Sequence, residues 1–271
     1  MSAAFARTKR EGRGALIPYL CAGDPDLATS ALLLANAAEH ADVIELGIPY
    51  GDPLADGPTI AAAAQRALSA GTTIDTALAL IAHAHANGGP PIVAFTYFNP
   101  VLQYGVERFA DALLAAGGCG AIVPDIPLEE SHLLLEAFAP RGLVLPLLIA
   151  PTTPPERARA IAAKSSGFTY IVSRLGVTSA GKAPDFGWIA ERVRDLRGVS
   201  DLPLAIGFGI SRADHVRRAW EIADGAIVGS ALIDAYAGKS GPEAVRAARK
   251  YLATLVIPNG GREAPVVEGP G

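Results

Sequence analysis

Cysteine is scarce in this chain of 271 residues: there are two, Cys21 and Cys119. Two thiols do not make a disulfide framework, and reduced thiols in a cytoplasmic setting are the simplest reading. Cys119 lies in the run Gly117-Gly118-Cys119-Gly120. A small buried residue is the expectation there, with a nucleophile as the alternative. A dominant charge is also lacking. The 23 Lys and Arg against 27 Asp and Glu give a formal net charge of -4, with a pI of about 5.7. The basic residues are scattered, which excludes nucleic acid and anionic membranes as expected partners. No apolar run approaches the ~20 residues of a membrane span. Met1–Arg13 is charged but no apolar stretch follows it, so no secretory signal is expected. Histidine is sparse as well. His83 and His85 are two apart on a predicted helix and face different directions, so no metal site is expected.

What the chain has in quantity is hydrophobic residues, 50% of the total, in a repeating arrangement. Short apolar runs occur at Leu16–Leu20, Val43–Leu46, Ile92–Thr96, Ala121–Pro124, Val144–Ile149, Thr169–Ser173, Leu204–Gly207 and Ala226–Val228. Each is nearly continuous, as expected of a strand covered on both faces. Amphipathic stretches lie between them: Asp26–Glu39, Thr59–Ala70, Ile74–Ala86, Val106–Ala116, Glu129–Phe138, Pro155–Lys164, Trp188–Leu196, Ser211–Trp220 and Pro242–Leu255. Alternating strands and helices imply parallel pairing through right-handed crossovers. Eight such units in about 250 residues predict an α/β fold, a (β/α)8 TIM barrel with extra helices. An open doubly wound sheet is the alternative. Its Gly-rich fingerprint is absent, because the first strand runs into Cys21-Ala22-Gly23-Asp24-Pro25. Residues 1–256 are expected to form one domain. The Pro- and Gly-rich tail, residues 257–271, is expected to be disordered.

The most informative stretch runs from Val43 to Pro58. Strand side chains alternate faces, so Val43, Glu45 and Gly47 share one face and Ile44 and Leu46 the other. The second pair suits packing under helices. Glu45 therefore points into the barrel near its C-terminal mouth, where the active sites of such barrels lie. An acid among apolar neighbours has a raised pKa, which suits proton transfer near neutral pH. A buried salt bridge is the alternative. The loop that follows holds Asp52, Pro53, Asp56, Gly57 and Pro58. Either aspartate could cap the next helix; a carboxylate at the mouth could instead stabilise positive charge developing on a substrate.

The chain's last strands offer a complementary feature. The seventh runs into Gly207-Phe208-Gly209-Ile210-Ser211 and the eighth into Gly229-Ser230. Loops in these two positions commonly bind phosphate in barrels, through closely approaching backbone N–H groups and a short helix, here starting near Ser230. Two ordinary tight turns are the alternative. After the sixth strand, Ser173–Asp185 is long and rich in small residues, a composition that suits a mobile lid or a plain surface loop.

Taken together, these segments resemble the tryptophan synthase alpha subunit family. The matches include Pro18–Pro25, Glu45–Pro58, Val123–Glu130, Tyr170–Thr178, Gly207–Ser211 and Gly229-Ser230, in order along almost the whole chain. The resemblance implies cleavage of indole-3-glycerol phosphate to indole and glyceraldehyde 3-phosphate, a retro-aldol reaction without metal or organic cofactor. It implies that Glu45 is the general acid/base, that Asp56 holds the indole N–H, and that Tyr170 positions the glycerol portion. Tyr19, Phe95, Tyr97, Ile122, Ile149 and Phe208 would contact the indole, and Thr178 would meet Asp56 on lid closure. Ser179, Gly209, Gly229 and Ser230 would bind phosphate through backbone amides. A beta subunit in an alpha2beta2 assembly is the implied partner, with Asp52 and Pro53 at the contact.

This chemistry suits the residues present. Carbon–carbon cleavage needs an electron sink, and none of the five lysines, Lys9, Lys164, Lys182, Lys239 and Lys250, ends a strand to form an imine. In the reaction the resemblance implies, the indole ring protonated at C3 would supply the sink. Two positions depart from the family pattern. Gly51 stands where Ser or Thr is usual, and Ser179 where glycine is usual. The rival readings are a stand-alone indole-releasing lyase, a non-catalytic activator of a beta subunit, and another phosphate-binding barrel such as a sugar-phosphate isomerase.

Overall fold

A computed structural model describes residues 1–173 and 184–256. Eight strands run along the chain: β1 (Ala15–Cys21), β2 (Ile44–Gly47), β3 (Ile92–Phe95), β4 (Gly120–Ile122), β5 (Leu148–Ile149), β6 (Thr169–Val172), β7 (Leu204–Gly207) and β8 (Gly225–Val228). They pair in the order β4-β3-β2-β1-β8-β7-β6-β5, parallel at every step. The two ends of that order also meet. Gly120 bridges Val144 in parallel, with Ala121 N–H donating to the Val144 carbonyl at 3.0 Å and Val144 N–H to that of Cys119 at 2.9 Å. The sheet thus closes into the expected (β/α)8 barrel, through this one bridge between its end strands.

The helices are α1 (Ser2–Arg10), α2 (Leu27–Ala37), α3 (Pro58–Ser69), α4 (Ile74–Ala86), α5 (Phe98–Tyr104), α6 (Val106–Ala115), α7 (His132–Phe138), α8 (Pro155–Lys164), α9 (Phe186–Leu196), α10 (Ala213–Ile222), α11 (Ser230–Tyr236) and α12 (Gly241–Leu255). Local chemistry sets several starts. The Asp26 carboxylate accepts the Thr29 N–H at the head of α2. Thr73 and Thr76 form a reciprocal capping box on α4. Proline opens α3 and α8, where its missing N–H costs nothing and its fixed φ favours the first turn.

Several predicted boundaries shift. The fifth strand was expected over Val144–Ile149, but only Leu148–Ile149 pairs as a strand, with the isolated bridge at Val144. Pro146 lies between them and has no N–H to give a ladder. The helix expected from Glu129 begins at His132, after turns in which the Glu130 and Ser131 N–H groups donate to the carbonyls of Pro127 and Leu128. The helix expected from Ser211 begins at Ala213. Two helices were not anticipated, α1 and α5. The first closes the foot of the barrel. Phe5 packs against Phe168 with ring centroids 5.9 Å apart, and its ring would lie 3.2 Å from a Cβ built on Gly225.

All eight strands are buried over almost their whole length. That explains their near-continuous apolar composition, each fully buried Leu or Ile contributing roughly 1.5–3 kcal/mol. Glu45 is the exception in composition, an acid within a buried strand at 2% exposure.

Candidate active site

Strand register builds the site. Tyr19 pairs with Glu45, Glu45 with Val93, and Gly47 with Phe95. Period-two alternation sends Tyr19, Glu45 and Phe95 to the barrel interior near the mouth. There they line a cavity with Asp56, Ile60, Tyr170, Phe208, Gly209, Ile210, Ile227, Gly229 and Ser230. Two glycines make space for its aromatic wall. A Cβ on Gly47 would fall 2.1 Å from the Tyr19 hydroxyl, and one on Gly207 2.1 Å from the Tyr170 hydroxyl. The rings pack edge to face, Tyr19 on Phe95 and Tyr170 on Phe208, each with centroids 5.9 Å apart.

The electrostatics of this cavity are unusual for a pair of acids. Glu45 Oε2 is buried without a hydrogen-bond partner among the described residues. Burial, reinforced by the charge of Asp56, pushes the Glu45 carboxyl up to about 8. Burial likewise raises Asp56 to about 6, opposed by a hydrogen bond from Tyr97. Among the described residues neither acid has an ion pair. Glu45 is therefore protonated and Asp56 largely ionised at neutral pH. The buried salt bridge considered for Glu45 is absent from the described residues. Burial also keeps Tyr19 and Tyr170 as neutral phenols.

The turn after β7 carries backbone strain. Phe208 has φ 68° and Gly209 φ 81°; the left-handed conformation costs a residue with a Cβ about 1–2 kcal/mol. The Ser173 hydroxyl donates to the Phe208 carbonyl and holds the turn. With Gly229 and Ser230 beside it, the turn gives the cavity a wall of backbone at one side.

The remaining expected residues fall in three groups. Tyr97 is 2% exposed and does not line the cavity. Its hydroxyl accepts the Ala55 N–H at 3.0 Å and hydrogen-bonds Asp56, so it fastens the Asp56 loop. Ile122 and Ile149 are fully buried in their strands, also outside the lining. Asp52 is exposed and Pro53 half-buried, with Leu54 beside them at 74% exposure. Thr178, Ser179 and most of the expected lid lie outside the described residues, as does the 257–271 tail. Gly51 needs no glycine: its φ is not left-handed, and an added Cβ would meet only Leu68 Cδ1 at 3.9 Å. Sequence reasoning missed Ile60, Ile210 and Ile227. Only Ile227 carried a signal, the alternation of β8 that places it on the inner face.

An inward carboxylic acid held protonated, an ionised partner and an apolar wall at a barrel mouth define an acid–base enzyme of the (β/α)8 class. Comparison with known proteins narrows this. The family model for the tryptophan synthase alpha chain matches residues 5–256. A tryptophan synthase alpha chain of Synechocystis sp. is 48% identical over 260 residues, covering 94% of this chain and 97% of that relative. One from Synechococcus elongatus is 50% identical over 237 residues, covering 86% and 88%. Among solved structures, Mycobacterium tuberculosis tryptophan synthase superposes with a TM-score of 0.86 at 37% identity, covering 93% of this chain and 95% of that one. The tryptophan synthase complex of Pyrococcus furiosus gives 0.81 at 35% identity, covering 90% and 98%. The chain belongs to the tryptophan synthase alpha chain family, and it is a lyase of tryptophan biosynthesis.

Proposed function

We propose that this chain cleaves indole-3-glycerol phosphate to indole and glyceraldehyde 3-phosphate, with Glu45 and Asp56 as its reacting carboxylates. The observation that carries the assignment is the protonated Glu45, its Oε2 without a hydrogen-bond partner among the described residues, in a cavity walled by aromatic rings. Glu45 gives its proton to indole C3. The ring becomes an indoleninium whose N–H is held by ionised Asp56, a charge-assisted hydrogen bond in a water-poor site. The glycerol hydroxyl next to the ring then yields its proton to the Glu45 carboxylate. Its O–H electrons form the aldehyde, the carbon–carbon bond breaks, and that electron pair restores the aromatic ring. Glu45 ends protonated, ready for another turnover.

Tyr170 orients the glycerol portion beside Phe208. The apolar indole rests on Tyr19, Phe95 and Phe208, flanked by Ile60 and Ile227. Ile122 shares the inward face of Phe95 and Tyr97 packs edge to face on Phe95; with Ile149 they extend the proposed apolar contact. Backbone N–H groups of Gly209, Gly229 and Ser230 receive the phosphate, and the strained Phe208-Gly209 turn supports that role because such strain clusters at ligand clamps. Thr178 and Ser179 complete the site from the 173–185 segment. No metal or organic cofactor is required, since the protonated ring accepts the electrons. Residues 1–256 act as one unit.

A tryptophan synthase beta subunit is the proposed partner. Asp52, Pro53 and exposed Leu54 form the proposed contact, on the same short loop as Asp56. Among the described residues no helix is long and apolar enough to cross a membrane, and the cytoplasm is the proposed compartment.

Incubating the chain with indole-3-glycerol phosphate tests the reaction. Indole and glyceraldehyde 3-phosphate are expected in equal amounts, slowly alone and faster with a beta subunit. High activity that no beta subunit accelerates favours the stand-alone lyase. No indole under either condition refutes the proposal. The reaction starts from protonated Glu45 and ionised Asp56. The kcat/KM profile is therefore a bell, rising through about 6 and falling through about 8.

A further inference from the structure

Asp24 is a buried charge that the proposed chemistry does not use. It follows β1 at the mouth end of the barrel and has 0% exposure. One guanidinium grips it with two hydrogen bonds, Arg66 Nε to Oδ1 at 2.7 Å and Nη2 to Oδ2 at 3.0 Å. A forked pair of this kind fixes orientation as well as distance. Arg66 projects from α3, the helix that starts two residues after Asp56.

Other contacts fasten the same helix. The turn before Asp24 is wedged against the segment after α3, because a Cβ on Gly23 would sit 1.8 Å from Thr72 Oγ1. At the head of α3, Thr59 donates to Asp234 of α11 at 3.0 Å. Besides Arg66, the ionisable groups facing Asp24 are the Cys21 thiol and the Tyr236 hydroxyl. Both are buried and neutral, so among the described residues Arg66 is the cation that balances the carboxylate. The Asp56 loop therefore hangs between two anchors: Tyr97 on one side, and α3 clamped by Asp24 on the other.

We infer that Asp24, acting through Arg66 and α3, is a positioning residue that holds the Asp56 loop in the cavity with Glu45. The inference rests on the reading of Asp56 given above. It predicts that breaking the fork slows the chemical step while leaving the phosphate cradle, which is built from the loops after β7 and β8, intact.

Three variants test this: Asp24→Asn, Arg66→Met and Arg66→Lys. Asn keeps the shape of Asp24 without its charge. The Arg66 side chain is 38% exposed, and Met preserves its packed stem. The readouts are kcat and KM for indole-3-glycerol phosphate, the Kd of inorganic phosphate, and the pH profile. For Asp24→Asn and Arg66→Met, kcat is expected to fall at least tenfold while the Kd of phosphate changes less than threefold. Arg66→Lys should recover part of the loss. The falling limb should also move to lower pH, because a displaced Asp56 no longer raises Glu45 by its charge. A merely structural role would not move that limb.

Folded variants with kcat within twofold of wild type overturn the inference. So does loss of kcat matched by equal loss of phosphate binding, or an unmoved limb. If Asp24→Asn and Arg66→Met fail to fold, Arg66→Lys decides by the same limb: a downward shift supports the inference and none refutes it. A wild-type chain that releases no indole refutes the functional reading instead, so the two failures are distinguishable.

Discussion

The foot and the mouth of this barrel treat carboxylates in opposite ways. At the foot, Asp42 accepts the Leu16 N–H at 2.9 Å and is flanked by Arg7 and Arg13, both at 2.6 Å. Asp224 repeats the device, taking the Leu204 N–H at 2.7 Å and pairing with Arg197. At the mouth, Glu45 is equally buried yet among the described residues has neither cation nor strand N–H, and it is held protonated. The same kind of group thus ties strands together at one end and, in the proposed function, stores a transferable proton at the other. Barrel architecture makes the division possible, since the foot contributes stability while the mouth carries loops free to vary. Asp24 combines both treatments, a foot-like ion pair located at the mouth.

The sharpest way to break the comparison is to remove the stored proton. Glu45→Gln keeps the shape and loses the acid. Cleavage of indole-3-glycerol phosphate is expected to fall by about three orders of magnitude or more, beyond the usual general acid–base contribution because the same group acts twice. The Kd of inorganic phosphate should stay within threefold. Substantial residual turnover removes Glu45 from its role. At the foot the opposite pattern is expected. Asp42→Asn leaves two arginines and a strand N–H without their anion, and should cost about 2–3 kcal/mol of stability in chemical denaturation. Its kcat per folded molecule should match wild type; a specific loss of kcat would erase the division between the two ends.

The smallest effect concerns the loop of Asp56. Gly51 has room for a Cβ and no left-handed backbone. Gly51→Ser should raise stability by up to about 1 kcal/mol through a less flexible unfolded chain, with cleavage undiminished. A loss of stability would mean that the loop requires glycine after all.

Much of this division was legible in the sequence. The strands stood out because burial on both faces makes them continuously apolar, and Glu45 stood out as an acid interrupting one of them at an inward position. The loops proposed to bind phosphate were visible as Gly207-Phe208-Gly209 after β7 and Gly229-Ser230 after β8. What stayed hidden depends on contacts between distant segments. Tyr97 reads as one more aromatic beside Phe95, and only the fold brings its hydroxyl to Ala55 and Asp56. Asp24 and Arg66 are 42 residues apart and carry no pattern that links them. The helix α1 was missed because only Ala4, Phe5 and Thr8 of its nine residues are buried, too few to impose a period. β5 was read too long because Pro146 interrupts its ladder without interrupting its hydrophobicity.

The central claim is that Glu45 enters the reaction carrying its proton. Difference infrared spectroscopy of wild type against Glu45→Gln, titrated across neutral pH, reads that proton directly. A carboxylic acid carbonyl band present at about pH 7, absent from the variant and lost with a midpoint of about 8, is the predicted result. A Glu45 that is already ionised at about pH 7, titrating near the ordinary glutamate value of about 4.3, would contradict it.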